Sequence, residues 1–308
     1  MSPMHNRRQF LLTTLQGAGA LALPFASAAA APAAVAGGKN KFCFFTKHLQ
    51  GLSFEEIAAH AAQLGVDGIE APVRPKGHVE PERVEEDLPK LVEQLKKHNL
   101  EMTILTSGIN EVSAAQNTEK VLRTAKALGI TRYRMNYWKY DLKQPIWPQL
   151  DNIKAGVKDL IALSKEIGIQ PLFQNHHGKD YVGAPIWDVA TLMRDYPAED
   201  WAFAFDILHA SVEGGTSWPI ELRLVQDRIG AAYFKDYQWA NGKAEVVPLG
   251  EGMAPGKEYV KVLKAGGYSG PVSLHVEYIK DKLTTKEEVQ KAFEATRRDL
   301  AVLREWWA

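Results

Sequence analysis

Lys165-Glu166-Ile167-Gly168-Ile169-Gln170-Pro171-Leu172-Phe173-Gln174-Asn175-His176-His177 holds in one stretch the unit from which the chain is built. A helix-like segment stops at a glycine, which takes the left-handed conformation at no steric cost. A short apolar strand follows, and it ends in residues that bind metals or move protons. Three later runs end the same way: Phe203-Ala204-Phe205-Asp206-Ile207-Leu208-His209, Ala232-Tyr233-Phe234-Lys235-Asp236 and Val272-Ser273-Leu274-His275-Val276-Glu277. The helix–glycine–strand junction also recurs at Leu64-Gly65, Leu128-Gly129 and Gly266-Gly267. Repetition of this kind argues for successive βα units and a parallel sheet with its chemistry collected at one end.

Working outward, the pattern predicts eight units. The strands fall near 41–46, 67–71, 101–106, 131–136, 170–175, 202–206, 230–235 and 271–277. The helices fall near 53–64, 81–98, 117–128, 149–167, 186–195, 217–227, 256–265 and 285–305, with Ser53 and Glu56 forming a capping box at the first. For the last, Thr284 or Thr285 with Glu287 or Glu288 offers a similar start. Eight such units over residues 39–308 fit a single-domain (β/α)8 TIM barrel. An open doubly wound sheet is the competing architecture. Its nucleotide-binding form lacks support, because neither Gly-x-Gly-x-x-Gly nor a Walker motif follows the first strand.

Strand phase locates the chemistry. Side chains alternate along a strand, so Ser273, His275 and Glu277 share one face and Val272, Leu274 and Val276 the other. Tyr233 shares a face with Lys235, and Leu172 with Gln174 and His176. His177 is expected to face away and to be structural or solvated. Barrel enzymes carry their reactive groups at the carboxyl ends of the strands, where these polar residues fall.

Composition bounds the function. Net charge is zero, with 37 basic and 37 acidic residues, which gives no electrostatic case for nucleic acid or an anionic membrane. Cys43 is the only cysteine, so no intramolecular disulfide forms, and its apolar neighbours predict a buried thiol. Residues 1–36 read as a signal peptide with an Ala-rich cleavage region. Asn6-Arg7-Arg8-Gln9-Phe10-Leu11 resembles the twin-arginine export motif, and Ala26-Ser27-Ala28 has the small-x-small form of a cleavage site. The expectation is a periplasmic protein handled by the twin-arginine machinery and free of the membrane after processing. A general-secretion signal or an uncleaved anchor is the alternative.

Taken in order, several features resemble the sugar isomerase/epimerase superfamily of xylose-isomerase-like barrels. They are Gly68-Ile69-Glu70, Asn175-His176, Asp206-x-x-His209, Lys235-Asp236, Pro248-Leu249-Gly250-Glu251-Gly252 and Gly267-Tyr268-Ser269-Gly270-Pro271. The resemblance covers the chain after the signal and implies a barrel holding a divalent metal on a Glu, an Asp, a His and a Glu. Here those positions carry Gln174, Asp206, Tyr233 and His275, with Glu277 one pleat further out. Two readings follow. A metal (Mn, Co, Fe or Zn) sits on Gln174, Asp206, His275 and Glu277, or one pleat outward on His176, Asp206, His209 and Glu277. Otherwise the polar groups do acid–base work without it.

The resemblance implies an enzyme that removes the proton alpha to a sugar carbonyl and passes through an enediolate, as an isomerase or epimerase. Glu277 or His176 would be the base and His209 would contact substrate. Lys235 would stabilise the oxyanion, or else form a salt bridge with Glu277 or Asp206. Glu70, Asn136, Trp138 and Trp239 are the expected substrate contacts, with Arg134 as a buried ion-pair partner. A lyase acting on 3-keto-glycosides is the alternative chemistry, and a non-catalytic sugar-binding protein is the alternative class. A homo-oligomer stays open.

Overall fold

The structure, a computed structural model, describes residues 40–279, 283 and 285–308. The expected export segment, residues 1–36, lies outside the described residues. In chain order the elements begin β1 (Phe42–Phe45), α1 (Phe54–Gln63), β2 (Gly68–Val73), α2 (Val84–Lys97), β3 (Glu101–Ser107), α3 (Thr118–Ala127), β4 (Arg132–Arg134), α4 (Ile146–Ile167) and β5 (Gln170–Gln174). They continue with α5 (Trp187–Met193), β6 (Ala202–Asp206), α6 (Ile207–Gly214), α7 (Trp218–Val225), β7 (Ile229–Phe234), β8 (Asp236–Ala240), β9 (Lys243–Val247), α8 (Gly256–Ala265), β10 (Val272–Leu274) and α9 (Lys286–Trp307).

Eight strands close into a barrel in the order β1-β10-β7-β6-β5-β4-β3-β2, and the pairings between barrel neighbours are parallel. The eight-unit reading therefore holds. The punctuating glycines act as expected: Gly65, Gly129, Gly168 and Gly267 have φ of 63°, 90°, 77° and 70°. Both helix starts are capping boxes, Ser53 with Glu56 and Thr285 with Glu288.

Two apolar regions hold the barrel together. The larger lies between the strands and the helical layer. The smaller fills the barrel interior with Cys43, Ile104, Leu172, Ala202, Ala204, Ala231 and Tyr233. Cys43 is buried there, as its neighbours predicted. Replacing Leu172 by Ala inside this plug would cost about 2–5 kcal/mol. Above the plug the inward-facing positions turn polar, as the strand phase required.

Three features depart from expectation. A short helix, α6, starts immediately after β6, because the Asp206 carboxylate accepts from the backbone N–H of Leu208 (3.1 Å) and His209 (3.3 Å) and caps it. The segment 236–255, between the strand and helix of its unit, contains the antiparallel hairpin β8–β9. Asp236 ties that excursion down: its carboxylate accepts from the N–H groups of Tyr237, Gly250, Gly252 and Ala254 at 2.8–3.0 Å. Gly252 is required there, since a Cβ would collide with that carboxylate. Finally, β4 ends at Arg134 rather than 136, which moves Asn136 out of strand phase. Among the described residues no helix is long and apolar enough to cross a membrane.

Candidate active site

The polar mouth of the barrel is built in two layers. The deeper layer centres on Glu70, which is fully buried. One carboxylate oxygen accepts from Thr106 (2.5 Å) and Tyr233 (2.9 Å). The other accepts from Ser273 (2.8 Å) and lies 3.0 Å from His275 Nε2. Burial alone would raise the Glu70 pKa, but His275 and then Arg134 outweigh it and hold it at about 2. The His275 ring lies between Phe45 (4.9 Å) and Tyr233 (4.4 Å).

The outer layer centres on Asp206, Lys235, Gln174 and Glu277. Lys235 Nζ lies 3.1 Å from Asp206 Oδ2 and 2.8 Å from Glu277 Oε2. Gln174 donates its amide N–H to Asp206 Oδ2 at 2.7 Å. Its amide oxygen accepts from Arg134 and, at 2.6 Å, from the Tyr137 hydroxyl. Burial opposes the Lys235 charge, yet Asp206 and Glu277 more than offset it and raise its pKa. Burial would raise the Glu277 pKa, but Lys235 and His275 hold it well below the usual carboxylate range.

Three histidines cover one side of this layer. The His176 and His209 ring centroids are 4.1 Å apart, and His177 Nδ1 is 2.6 Å from His209 Nδ1. Burial, and next the Lys235 charge, lowers all three, with His176 brought to about 4. All three are therefore neutral near pH 7. His176 Nδ1 lies 2.8 Å from the His177 carbonyl oxygen, which can only accept. A neutral His176 must then carry its proton on Nδ1 and a lone pair on Nε2. Tyr137 and Tyr181 pack on that ring at 4.9 and 4.4 Å.

The expected site residues divide accordingly. Asp206, Gln174, Lys235 and Glu277 are brought together, and His176 and His209 adjoin them. Lys235 takes the salt-bridge alternative, with both carboxylates at once. Glu70, expected as a substrate contact, has both oxygens engaged by protein side chains and is closed off from solvent. His275 goes to Glu70 rather than to the outer layer. Asn136 is exposed once β4 ends early, and Tyr137 is inside instead. Trp138 stacks on Phe173 at 5.4 Å as part of the core layer. Trp239 is exposed on the β8–β9 hairpin. His177, expected to point away, joins the histidine cluster.

Tyr137 and Arg74 were missed. Tyr137 sits three residues after Arg134, just past the end of β4. Arg74, one residue past β2, is half-buried with its guanidinium carbon 6.0 Å from the Phe45 ring centroid. Burial and the nearby Arg134 charge lower its pKa. Only its place at a strand end could have pointed to it.

The donor set does not fit a divalent metal. Both acceptor directions of the Gln174 amide oxygen are taken, and its N–H faces the carboxylate that would be a ligand. His275 Nε2 is spent on Glu70. Among the described residues no group of three or more His, Cys, Asp or Glu side chains converges to hold a metal ion. A dication roughly 4 Å from the Lys235 ammonium would meet about 8 kcal/mol of repulsion at an effective dielectric of ~20. The carboxylates that would offset this are already neutralised in part by that ammonium.

Residues 58–306 match the family model described as xylose isomerase-like TIM barrel, and the chain belongs to that family. Its fold is similar to D-psicose 3-epimerase from Clostridium cellulolyticum H10, with TM-score 0.67, 11% identity, and 87% of this chain and 99% of that chain covered. It is also similar to a probable 3-DHS dehydratase from Bacillus anthracis, with TM-score 0.65, 17% identity, and 86% and 98% covered. A third similar fold is 3-keto-D-glucoside 4-epimerase from E. coli, with TM-score 0.63, 15% identity, and 87% and 100% covered. In sequence, an uncharacterized protein of Methanocaldococcus jannaschii is 23% identical over 153 residues, which is 49% of this chain and 52% of that protein. The match thus spans about half the length of that relative.

Proposed function

We propose that the protein is a carbohydrate-processing enzyme that abstracts the proton alpha to a sugar carbonyl. The observation that carries this reading is the His176 Nε2 lone pair, fixed by the carbonyl of His177, on a ring that feels the Lys235 charge. A base and a fixed positive charge are the two parts an enediolate mechanism needs. His176 takes the proton. Lys235 donates to the developing enediolate oxygen with the N–H that its two carboxylate partners leave over. The hydrogen-bonded pair His177 and His209 holds a second exchangeable proton for return to the intermediate.

Return of the proton to the neighbouring carbon gives isomerisation, and to the opposite face gives epimerisation. The same intermediate expels a leaving group beta to the carbonyl, and the second proton-bearing ring pair favours keeping this lyase reading, since it could protonate the departing oxygen. Epimerases and a dehydratase among the similar folds support this range of outcomes. Export through the segment at residues 1–36 is part of the proposal, on the strength of Arg7-Arg8 and the apolar run after them. A signal-peptide reporter fusion with Arg7→Lys, Arg8→Lys tests it.

The activity is tested by incubating the protein with ketohexoses and 3-keto-glucosides in deuterated water. Deuterium at the alpha carbon with a new ketose indicates isomerisation or epimerisation, and released aglycone indicates elimination. Saturable sugar binding without exchange would return the chain to the binding-protein class.

A further inference from the structure

The family resemblance implies a divalent cation at the barrel mouth, and the side chains present disagree with it. We infer that the barrel mouth takes no such ion and that the Lys235 ammonium supplies the positive charge there. Its ammonium bridges Asp206 (3.1 Å) and Glu277 (2.8 Å), two of the side chains expected to hold the metal. Neighbouring positions that depart from the family pattern are engaged within the protein as well. Gln174 turns an N–H, not an oxygen, toward Asp206. Tyr233 donates to Glu70 and offers the mouth no ligand atom. His275 likewise turns to Glu70. A site with one carboxylate changed would be a weakened metal site. Here Gln174, Tyr233 and His275 each engage a neighbouring protein group instead of turning that atom to the mouth as a ligand.

The chemical consequence differs from chelation. An ammonium carries one charge and directed N–H groups, so it binds one oxygen rather than clamping a carbonyl and an adjacent hydroxyl together. Charge on the enediolate would be met by Lys235, with Arg134 behind it through Gln174. This inference concerns ion occupancy, so it stands or fails independently of which carbohydrate is processed.

The test uses the full chain, purified after growth with added manganese, cobalt, iron and zinc. Elemental analysis should find no stoichiometric transition metal. EDTA should leave the unfolding temperature unchanged, and added Mn²⁺ should neither raise it nor release calorimetric heat. The variant Lys235→Ala exposes Asp206 and Glu277 to each other, and it should gain Mn²⁺ or Zn²⁺ binding that the unaltered protein lacks. Methylammonium should raise its unfolding temperature by refilling the gap. If this variant does not fold, the unaltered protein still decides: with lysine labelled in nitrogen-15, the Lys235 ammonium signal should keep its linewidth on addition of Mn²⁺. A stoichiometric ion lost with EDTA, or paramagnetic broadening of that signal, would overturn the inference.

Discussion

The Lys235 ammonium lies 2.8 Å from Glu277 Oε2 and shares its charge with Asp206, so two carboxylates at the barrel mouth depend on one buried cation. Removing one partner of a buried ionic set leaves an uncompensated charge, and that costs about 3–5 kcal/mol. Lys235→Met should lower stability in urea by about that amount. Adding Glu277→Gln to the same chain should restore part of the loss. Equal urea midpoints for Lys235→Met and the unaltered protein would contradict the bridge.

His176 has a lone pair on Nε2, and among the described residues no hydrogen bond engages that atom. His176→Gln should therefore fold with nearly unchanged stability while slowing alpha-proton exchange by about 10²–10⁴-fold, the usual contribution of a general base. Wash-out of deuterium from labelled ketose, followed by NMR, measures it. Retained exchange in this variant would move the role of base to Glu277.

Glu70 was expected to bind substrate hydroxyls, and the structure gives it a different task. Both its oxygens hold β2 to β3, β7 and the end of β10 through Thr106, Tyr233, Ser273 and His275. Glu70→Leu should cost at least about 3 kcal/mol, because it strands several buried donors. Under conditions where the variant is folded, KM should be unchanged. A raised KM at full folding would place Glu70 against substrate after all.

Acid should destabilise the protein in a defined window. His176 falls from its ordinary 6.5 to about 4 in the fold, as does the half-buried His78, and His177 and His209 are also lowered. Between those values the unfolded chain binds more protons than the folded one, so stability rises with pH. It is fully present above about pH 6.5 and is lost as pH falls toward about 4, by up to about 3 kcal/mol for His176. Glu70 and Glu277, whose pKa values are depressed, add to the loss below the ordinary carboxylate range. Urea midpoints at pH 7, 5.5 and 4.5 should decrease in that order, and a flat profile would show that the histidines are not desolvated as described.

The barrel was legible because its signals are local and repeated. Helix, glycine and strand recur along the chain, and strand parity alone put Tyr233 and Lys235, Gln174 and Leu172, and Ser273 and His275 on the inner face. Legibility failed where phase was lost or where partners came from distant elements. β4 stops at Arg134, so counting two residues on reached Asn136 instead of Tyr137. Trp138 and Trp239 were read by residue type, which cannot distinguish a ring packed on Phe173 from one lining a site. Gln174 was read as a metal ligand because its sequence neighbours do not reveal that Arg134 and Tyr137 occupy its oxygen. His177 follows the last strand-phased residue, and beyond that point alternation no longer governs direction.

The most direct test of the account is proton exchange itself, measured by NMR in deuterated water on 3-keto-glucosides and ketohexoses with EDTA present throughout. The account predicts deuterium at the carbon alpha to the carbonyl with the unaltered protein, at the same rate with or without EDTA, and its loss in His176→Gln. Exchange that stops on adding EDTA and returns with a divalent ion would contradict the assignment of the positive charge to Lys235. Absence of exchange across both sugar classes would contradict the proposed chemistry.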